Sequence, residues 1–296
     1  MRTRLGQFPI GFRRGWGSWQ QQSVSGLAVW AAEVGFEFLD LMNVNAEEIL
    51  GVQRCGVRIG TIDLLQYGRL LSSEEEVQQT TVAANLDMIS KQASAGVRKF
   101  FACLMGDSSR SRIDNFRMAT SVMLPICQAA SRVNATVAIE GFPGTAPNYL
   151  GIGCTPETVR VLLREIPEGL SLNYDPSHLI RQGIDPIQFL REFVSQVGHV
   201  HVKDTELNLQ NIYEFGLYQD STFQPLSPAR RYAGHTWNYR LPGRGVADWK
   251  QILTVLADHG YSGGVSIELE DEDFLGTEQL EKEGLIASRD FIANLH

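Results

Sequence analysis

Eight short apolar segments, rich in β-branched residues, alternate with eight amphipathic segments along the whole chain. The predicted strands cover residues 9–13, 36–42, 57–65, 99–105, 136–142, 170–176, 197–204 and 264–270. The predicted helices cover residues 23–34, 46–52, 73–95, 111–133, 156–165, 186–196, 248–259 and 277–295. This alternation requires a parallel sheet, and a count of eight strands favours closure of that sheet. We therefore predict a single α/β domain, a (β/α)8 TIM barrel that spans residues 1–296.

Three predicted helices begin with capping sequences. Ser73 precedes three glutamates, which would place negative charge at the positive end of a helix. Thr155 and Asp185 each precede a proline, so a capping side chain is followed by a residue that suits the first helical turn. These signals agree with the boundaries that the apolar periodicity predicts.

Four predicted strands end in side chains that commonly bind metal ions. Neighbouring parallel strands bring their carboxyl ends to one rim of a barrel, where side chains from different strands can share an ion. Three carboxylates and one imidazole suit a divalent ion such as Mn²⁺, Co²⁺ or Mg²⁺, and Zn²⁺ is a further candidate. We predict that one divalent ion is bound by Glu140, Asp175, His201 and Glu268.

Other polar side chains are predicted near the same rim. His178 follows Asp175 by three residues, so its imidazole could hydrogen-bond a substrate oxygen beside the ion; a core or surface histidine is the alternative. His199, His201 and Lys203 alternate and therefore face one side of a strand, with His201 nearest the mouth and His199 one layer deeper. Lys203 could offer charge to an oxyanion or neutralise neighbouring carboxylates. Near the ends of the second and third strands, structural roles are expected for Asp40 and Asp63.

A long segment separates the predicted seventh strand from the helix that begins at residue 248. Its many aromatic residues argue against disorder, and connections of this length are usually functional. We predict that residues 205–247 form an inserted loop that acts as a lid over the barrel mouth. An oligomer contact is the alternative interpretation.

The composition argues against several classes of partner. The net charge is −8 and the 26 lysines and arginines are dispersed, which disfavours a nucleic-acid binder. No apolar stretch approaches the length of a membrane span, and the first residues lack a secretory hydrophobic region. Four scattered cysteines predict buried or free thiols. We expect a cytoplasmic protein that binds a small molecule, with homo-oligomerisation left open.

Five motifs together resemble a known superfamily. They are AIE at residues 138–140, DPSH at 175–178, HVHVKD at 199–204, LPGRG at 241–245 and GYSGGVSIELED at 260–271. The resemblance is to the xylose isomerase-like TIM-barrel superfamily, in its sugar phosphate isomerase/epimerase branch, which includes ketose 3-epimerases and inosose dehydratases. It implies that His178 binds substrate, and that the metal ligands are Glu140, Asp175, His201 and Glu268.

The chain departs from the ketose 3-epimerases at one position. Those enzymes carry an arginine shortly after the histidine ligand, where this chain has Leu207. A replacement must come from the long segment, in which Arg230 is one candidate. Predicted substrate contacts are therefore His178, Lys203, Arg231, His235 and Arg240.

The combined pattern predicts a divalent-metal-dependent isomerase or epimerase of a sugar or sugar phosphate. Glu140 and Glu268 are the expected catalytic pair, which would move protons through a metal-stabilised enediolate. A metal-dependent lyase or dehydratase acting on an inosose or keto-sugar is the alternative. An endonuclease IV-like nuclease is disfavoured because no histidine precedes residue 178. A non-catalytic sugar-binding barrel is the remaining alternative.

Overall fold

Eight parallel strands close into a barrel in the computed structural model, which describes residues 6–145, 149–218, 223 and 231–295. The strands among these residues are β1 (Ile10–Arg13), β2 (Phe38–Leu41), β3 (Arg58–Asp63), β4 (Lys99–Cys103), β5 (Thr136–Glu140), β6 (Leu170–Tyr174), β7 (Val197–Val202), β8 (Asp204–Leu207), β9 (Trp237–Arg240) and β10 (Val265–Ile267). Around the ring the order is β1-β10-β7-β6-β5-β4-β3-β2. Each barrel strand overlaps a predicted strand, so the predicted (β/α)8 barrel is confirmed.

Helices connect the barrel strands and cover their outer faces. They are α1 (Ser18–Gln22), α2 (Val24–Val34), α3 (Ala46–Arg54), α4 (Glu75–Ser94), α5 (Arg112–Arg132), α6 (Pro156–Glu165), α7 (Pro176–Ile180), α8 (Pro186–Phe193), α9 (Leu209–Phe215), α10 (Trp249–Asp258) and α11 (Glu278–Ala293). Apolar side chains fill the space between the two layers, as Leu27 on α2 and Leu285 on α11 illustrate. Because most strand residues are buried whichever face they project from, apolar residues predominate in most of the barrel strands.

Two of the three predicted caps are present. Thr155 caps α6 through a hydrogen bond from the Thr158 amide, and Asp185 accepts hydrogen bonds from two amides in the first turn of α8. The prediction for Ser73 was wrong, because α4 begins at Glu75 and Glu74 occupies its N-cap position without a side-chain cap. The Glu74 amide instead donates to the hydroxyl of Ser72, in the turn that precedes the helix.

The segment predicted as an inserted loop contains regular structure. β8 follows β7 almost directly and pairs with β9 in an antiparallel hairpin, in which Asp204 faces Arg240 and Thr205 faces Tyr239. The description of residues 205–247 as a loop was therefore incorrect over β8, α9 and β9. Both hairpin strands consist mainly of polar residues (DTEL and WNYR), so neither forms an apolar segment that the sequence pattern could detect. Arg230 lies outside the described residues, and the lid function stays a prediction.

The described residues contain four free cysteines and no helix suited to a bilayer. Cys55 is partly buried, whereas Cys103, Cys127 and Cys154 are buried, which confirms the expectation of buried or free thiols. None of the helices in this part of the chain combines the length and apolar character of a membrane span.

Candidate metal centre and active site

The four predicted metal ligands lie on adjacent strands at one rim of the barrel. Glu140 ends β5, Asp175 directly follows β6, His201 lies near the end of β7 and Glu268 directly follows β10. These strands are neighbours in the ring, in the order β10-β7-β6-β5. The parallel topology therefore brings residues separated by up to 128 positions (268 − 140) to the same place.

The side chains of these residues converge. Nδ1 of His201 lies 2.6 Å from Oε2 of Glu140 and 3.5 Å from Oε2 of Glu268. Glu140, Asp175, His178 and Glu268 each offer a ligand atom, and these four atoms lie within 4.8 Å of one another. The structure thus brings together all four residues that the sequence pattern selected, and places His178 among them.

The donor set fits a cation. Both ring nitrogens of the fully buried His201 lack a well-aligned hydrogen bond among the described residues, and so does Oδ2 of Asp175, although each of these side chains has a close ion-pair contact. Buried polar atoms whose hydrogen bonds are incomplete are energetically costly, so they mark a place where a ligand is expected. Carboxylate oxygens and an imidazole nitrogen are suitable ligands for Mn²⁺, Co²⁺, Mg²⁺ or Zn²⁺.

Lys203 places a buried ammonium group beside these carboxylates. Its Nζ contacts Oε2 of Glu268 and lies 2.9 Å from Oε2 of Glu270 and 3.1 Å from Oδ2 of Asp175. Burial alone would lower the pKa of Lys203, but these carboxylates outweigh burial and raise it well above its usual value. The contacts are those of a countercharge, and a direct contact of Lys203 with substrate stays a prediction.

The ionisation of the central residues follows from their mutual contacts. Burial tends to raise the pKa of both Glu140 and Glu268, but cationic and imidazole neighbours outweigh it and hold both pKa values well below the usual range. Burial likewise tends to lower the pKa of His201, but Glu268 and Glu140 raise it well above its usual value. Without a metal ion, the cluster therefore holds ionised carboxylates around a protonated imidazole.

Arg13, at the end of β1, is a site residue whose contact with Glu268 was not anticipated from the sequence. Its guanidinium donates two hydrogen bonds to Asp63, at 2.7 and 2.6 Å, and its Nε lies 3.3 Å from Oε1 of Glu268. The same guanidinium stacks 4.5 Å from the ring centroid of Phe101. Asp63 has the structural role expected of it, since it holds the arginine that faces Glu268.

A second polar layer lies beneath His201. Nε2 of His199 lies 2.8 Å from Oδ2 of Asp40, and Nε2 of His201 lies 3.7 Å from the same oxygen. Oδ1 of Asp40 accepts a hydrogen bond of 2.7 Å from the backbone amide of Thr61. A carboxylate behind a histidine is the usual arrangement for orienting a metal-binding imidazole.

A cavity of about 470 Å³ opens beside Glu268. Arg13, Glu268, Glu270 and Arg231 line it together with the exposed ring of Trp16. This volume is typical of a pocket for a small molecule. Burial and the neighbouring Glu268 raise the pKa of Glu270 to about 7, despite the opposing effect of Lys203. The alternation of residues 268–270 would have indicated Glu270 from sequence, because it projects to the same side as Glu268.

The structure places two other predicted substrate contacts on the inserted segment. The guanidinium of Arg240 lies 2.7 Å from Glu206, 3.1 Å from Asp271 and 2.8 Å from Asp273, so it bridges carboxylates at the base of the hairpin. His235 is partly buried, and its backbone carbonyl accepts a hydrogen bond from the side chain of Asn211. Substrate binding by Arg231, His235 and Arg240 stays a prediction.

Sequence comparison identifies the family. A sequence model of the family described as "Xylose isomerase-like TIM barrel" matches residues 30–295. The chain belongs to this family. The resemblance seen in the five motifs is thereby confirmed.

Two curated relatives align with part of this xylose isomerase-like barrel. The uncharacterized protein YfiH of Bacillus subtilis (strain 168) is 38% identical over 118 residues, which cover 39% of this chain and 36% of YfiH. An inosose dehydratase of Bacillus cereus (strain AH820) is 27% identical over 125 residues, which cover 42% of this chain and 39% of that protein. The alignments thus span less than half the length of either relative.

Solved structures show the same fold over almost the whole chain. The apo form of the 3-keto-D-glucoside 4-epimerase YcjR from E. coli has a TM-score of 0.71 at 16% identity, covering 97% of this chain and 99% of that one. The IOLI protein with a bound zinc atom has a TM-score of 0.68 at 14% identity, covering 98% and 99%. At these identities the likeness establishes the fold alone.

Proposed function

We propose that this protein is a divalent-metal-dependent isomerase or epimerase of a sugar or sugar phosphate. The observation that carries the proposal is the convergence of Glu140 and Glu268 on Nδ1 of His201, at 2.6 and 3.5 Å, beside a cavity of small-molecule size. The epimerase activity of YcjR, which shares the fold, supports the same assignment.

Glu140, Asp175, His201 and Glu268 would hold the metal ion. When bound, a divalent ion supplies positive charge that polarises a substrate carbonyl and acidifies the neighbouring C–H bond. The zinc atom in the IOLI protein supports a metal in this fold, and the donor set here equally suits manganese, cobalt or magnesium.

Two carboxylates would carry out the proton transfers. Glu268 lines the cavity and has a depressed pKa, so it is ionised at neutral pH and able to accept a proton from the substrate carbon. Glu140 is the second carboxylate of the pair: it would take up a proton from solvent and deliver it to the opposite face of the carbon, while Glu268 releases the abstracted proton to solvent, and the product would be an epimer. Arg13 and Lys203 both contact Glu268 and fix its orientation.

A metal-dependent dehydratase is the second candidate. The relative with 27% identity is named an inosose dehydratase, whereas the epimerase YcjR is related to this chain by fold at 16% identity. In a dehydratase the same residues would remove the first proton from the substrate. Departure of a β-hydroxyl group then replaces reprotonation, so the two reactions share a site and differ in their product.

The test is an incubation in D₂O with a panel of ketoses, ketose phosphates and inososes. The protein is stripped with a chelator and then loaded separately with Mn²⁺, Co²⁺, Mg²⁺ or Zn²⁺. An epimerase or isomerase conserves the substrate skeleton and introduces solvent deuterium at a carbon, whereas a dehydratase product lacks one water. NMR and mass spectrometry distinguish these outcomes.

Matched controls are the stripped protein and a Glu268→Gln variant loaded with the same metal. If no substrate acquires deuterium or loses water with any of the four metals, the enzymatic assignment is wrong. Sugar binding without exchange would then indicate a non-catalytic barrel.

A further inference from the structure

The hairpin formed by β8 and β9 inserts a tyrosine into the metal centre. Tyr239 lies on β9 opposite Thr205 and is almost completely buried, at 3% exposure. Its ring centroid lies 4.5 Å from Nζ of Lys203. A residue that belongs to the inserted segment, and not to the barrel, therefore forms part of the site wall.

The hydroxyl of Tyr239 completes a chain of hydrogen bonds that ends at Glu140. It lies 2.7 Å from Nδ1 of His178, and Nε2 of His178 lies 3.1 Å from Oε1 of Glu140. An ionised carboxylate only accepts hydrogen bonds, so Nε2 must carry the proton. In a neutral imidazole Nδ1 is then an acceptor, and the Tyr239 hydroxyl is its donor.

The hairpin is also fastened to the helix that carries His178. Oγ1 of Thr205 donates a hydrogen bond of 3.0 Å to the carbonyl of Ser177. The guanidinium of Arg181, which follows α7, stacks 4.4 Å from the ring centroid of Trp237 on β9. Contacts on both sides of His178 thus hold α7 and the hairpin as one packed unit, so the Tyr239–His178 hydrogen bond has a fixed geometry.

We propose that Tyr239 is a positioning residue that fixes His178 as the tautomer with its proton on Nε2. The Nε2–H of His178, which donates to Glu140 in this structure, is then the donor available to a substrate oxygen, and His178 is not a metal ligand, although its ring nitrogen lies within the cluster. The claim that His178 donates this hydrogen bond to a sugar rests on the proposed function. The claims about the tautomer and about His178 not binding the metal do not rest on it.

The first test is NMR spectroscopy of the full chain labelled with ¹⁵N at histidine. The signals of His178 are assigned from their absence in a His178→Asn variant. In the wild-type protein we expect a proton on Nε2 and none on Nδ1. In Tyr239→Phe the Nδ1 signal should shift, because its donor is lost, and a second tautomer should appear. A proton on Nδ1 in the wild type, or identical spectra for the two proteins, would overturn the proposal.

The second test measures Zn²⁺ affinity by competition with a chelator. Tyr239→Phe should leave the affinity unchanged. A loss of about tenfold or more, as occurs when the hydrogen-bond partner of a metal-ligating histidine is removed, would instead make His178 a ligand. The matched control is Tyr261→Phe, which removes a phenol hydrogen bond to the Gly264 carbonyl near the start of β10, at the opposite end of that strand from Glu268.

With a substrate from the D₂O panel, Tyr239→Phe should lower kcat/KM about tenfold, as expected for the loss of one well-placed hydrogen bond. Tyr261→Phe should keep the wild-type value. If the panel yields no substrate, the proposed function fails while the NMR result still decides the tautomer. Unchanged kcat/KM in Tyr239→Phe would show that the hydroxyl does not act through His178.

Discussion

Nζ of Lys203 lies 3.1 Å from Oδ2 of Asp175, an oxygen that also belongs to the predicted metal-ligand set. The same ammonium contacts Glu268 and Glu270, so one lysine balances carboxylates that follow two different strands. Such a countercharge allows several acidic groups to be buried together before any divalent ion is bound.

Replacement of Lys203 by methionine should destabilise the metal-free protein by about 3–5 kcal/mol, because it leaves buried carboxylates without their partner. Urea unfolding of the stripped protein measures this effect. The exposed Lys91, paired with Asp87 at 2.7 Å, is the matched control, and Lys91→Met should cost less than about 1 kcal/mol. Added Mn²⁺ should recover more stability in Lys203→Met than in the wild type. Equal losses in the two variants would contradict the countercharge role.

Asp63→Asn should leave the buried guanidinium of Arg13 without its two charged hydrogen bonds and free it to reorient against Glu268. We expect a loss of about 3 kcal/mol in unfolding free energy. The exposed pair of Arg160 and Glu192 provides the comparison, and Glu192→Gln should be nearly neutral. Denaturant titrations of both variants test this, and a neutral Asp63→Asn would show that the pair contributes nothing.

The barrel and the metal cluster could both be predicted from the sequence, and for the same physical reason. Parallel strands buried on both faces give apolar segments long enough to recognise, and their carboxyl ends must share a rim. Metal-binding side chains at those ends, such as Glu140 and Glu268, can therefore be assigned to the same rim of the barrel from the sequence alone. The structure brought these residues together as the strand pattern required.

The remaining parts of the site depend on contacts that no periodicity encodes. Tyr239 reaches His178 only because the hairpin of two four-residue strands packs over the rim. Arg13 reaches Glu268 because closure of the barrel makes β1 a neighbour of β10. Arg240, expected to contact substrate, lies among three carboxylates that the sequence gives no means of pairing with it.

His178→Asn should impair substrate handling more than metal binding. The asparagine keeps a hydrogen-bond donor but cannot span from Tyr239 to Glu140, so kcat/KM should fall by about tenfold or more. Metal content, measured by elemental analysis after dialysis, should match the wild type. A parallel loss of metal would make His178 part of the coordination sphere.

Glu268→Gln should reduce turnover by about 10²–10⁴-fold, because a carboxamide cannot accept a proton and binds metal weakly. Solvent deuterium incorporation at the reacting carbon should fall with turnover. The exposed Glu283 on α11 supplies the control, and Glu283→Gln should behave as wild type. Near wild-type turnover in Glu268→Gln on an authentic substrate would remove Glu268 from the catalytic pair.

Metal affinity should rise with pH through the neutral range. The pKa of His201 is raised well above its usual value, so the metal-free imidazole is protonated at neutral pH and must lose that proton to bind an ion. Protons and metal therefore compete, and affinity should fall about tenfold for each pH unit below the raised pKa. The pKa values of Glu140 and Glu268 are depressed, so these residues release no protons in this range.

Calorimetry in buffers of different ionisation enthalpy should detect about one proton released per ion. The same measurement on His259→Asn, whose histidine hydrogen-bonds the backbone of α10, should be unchanged. A pH-independent affinity would mean that His201 is neutral before the ion arrives, or that it does not bind the ion.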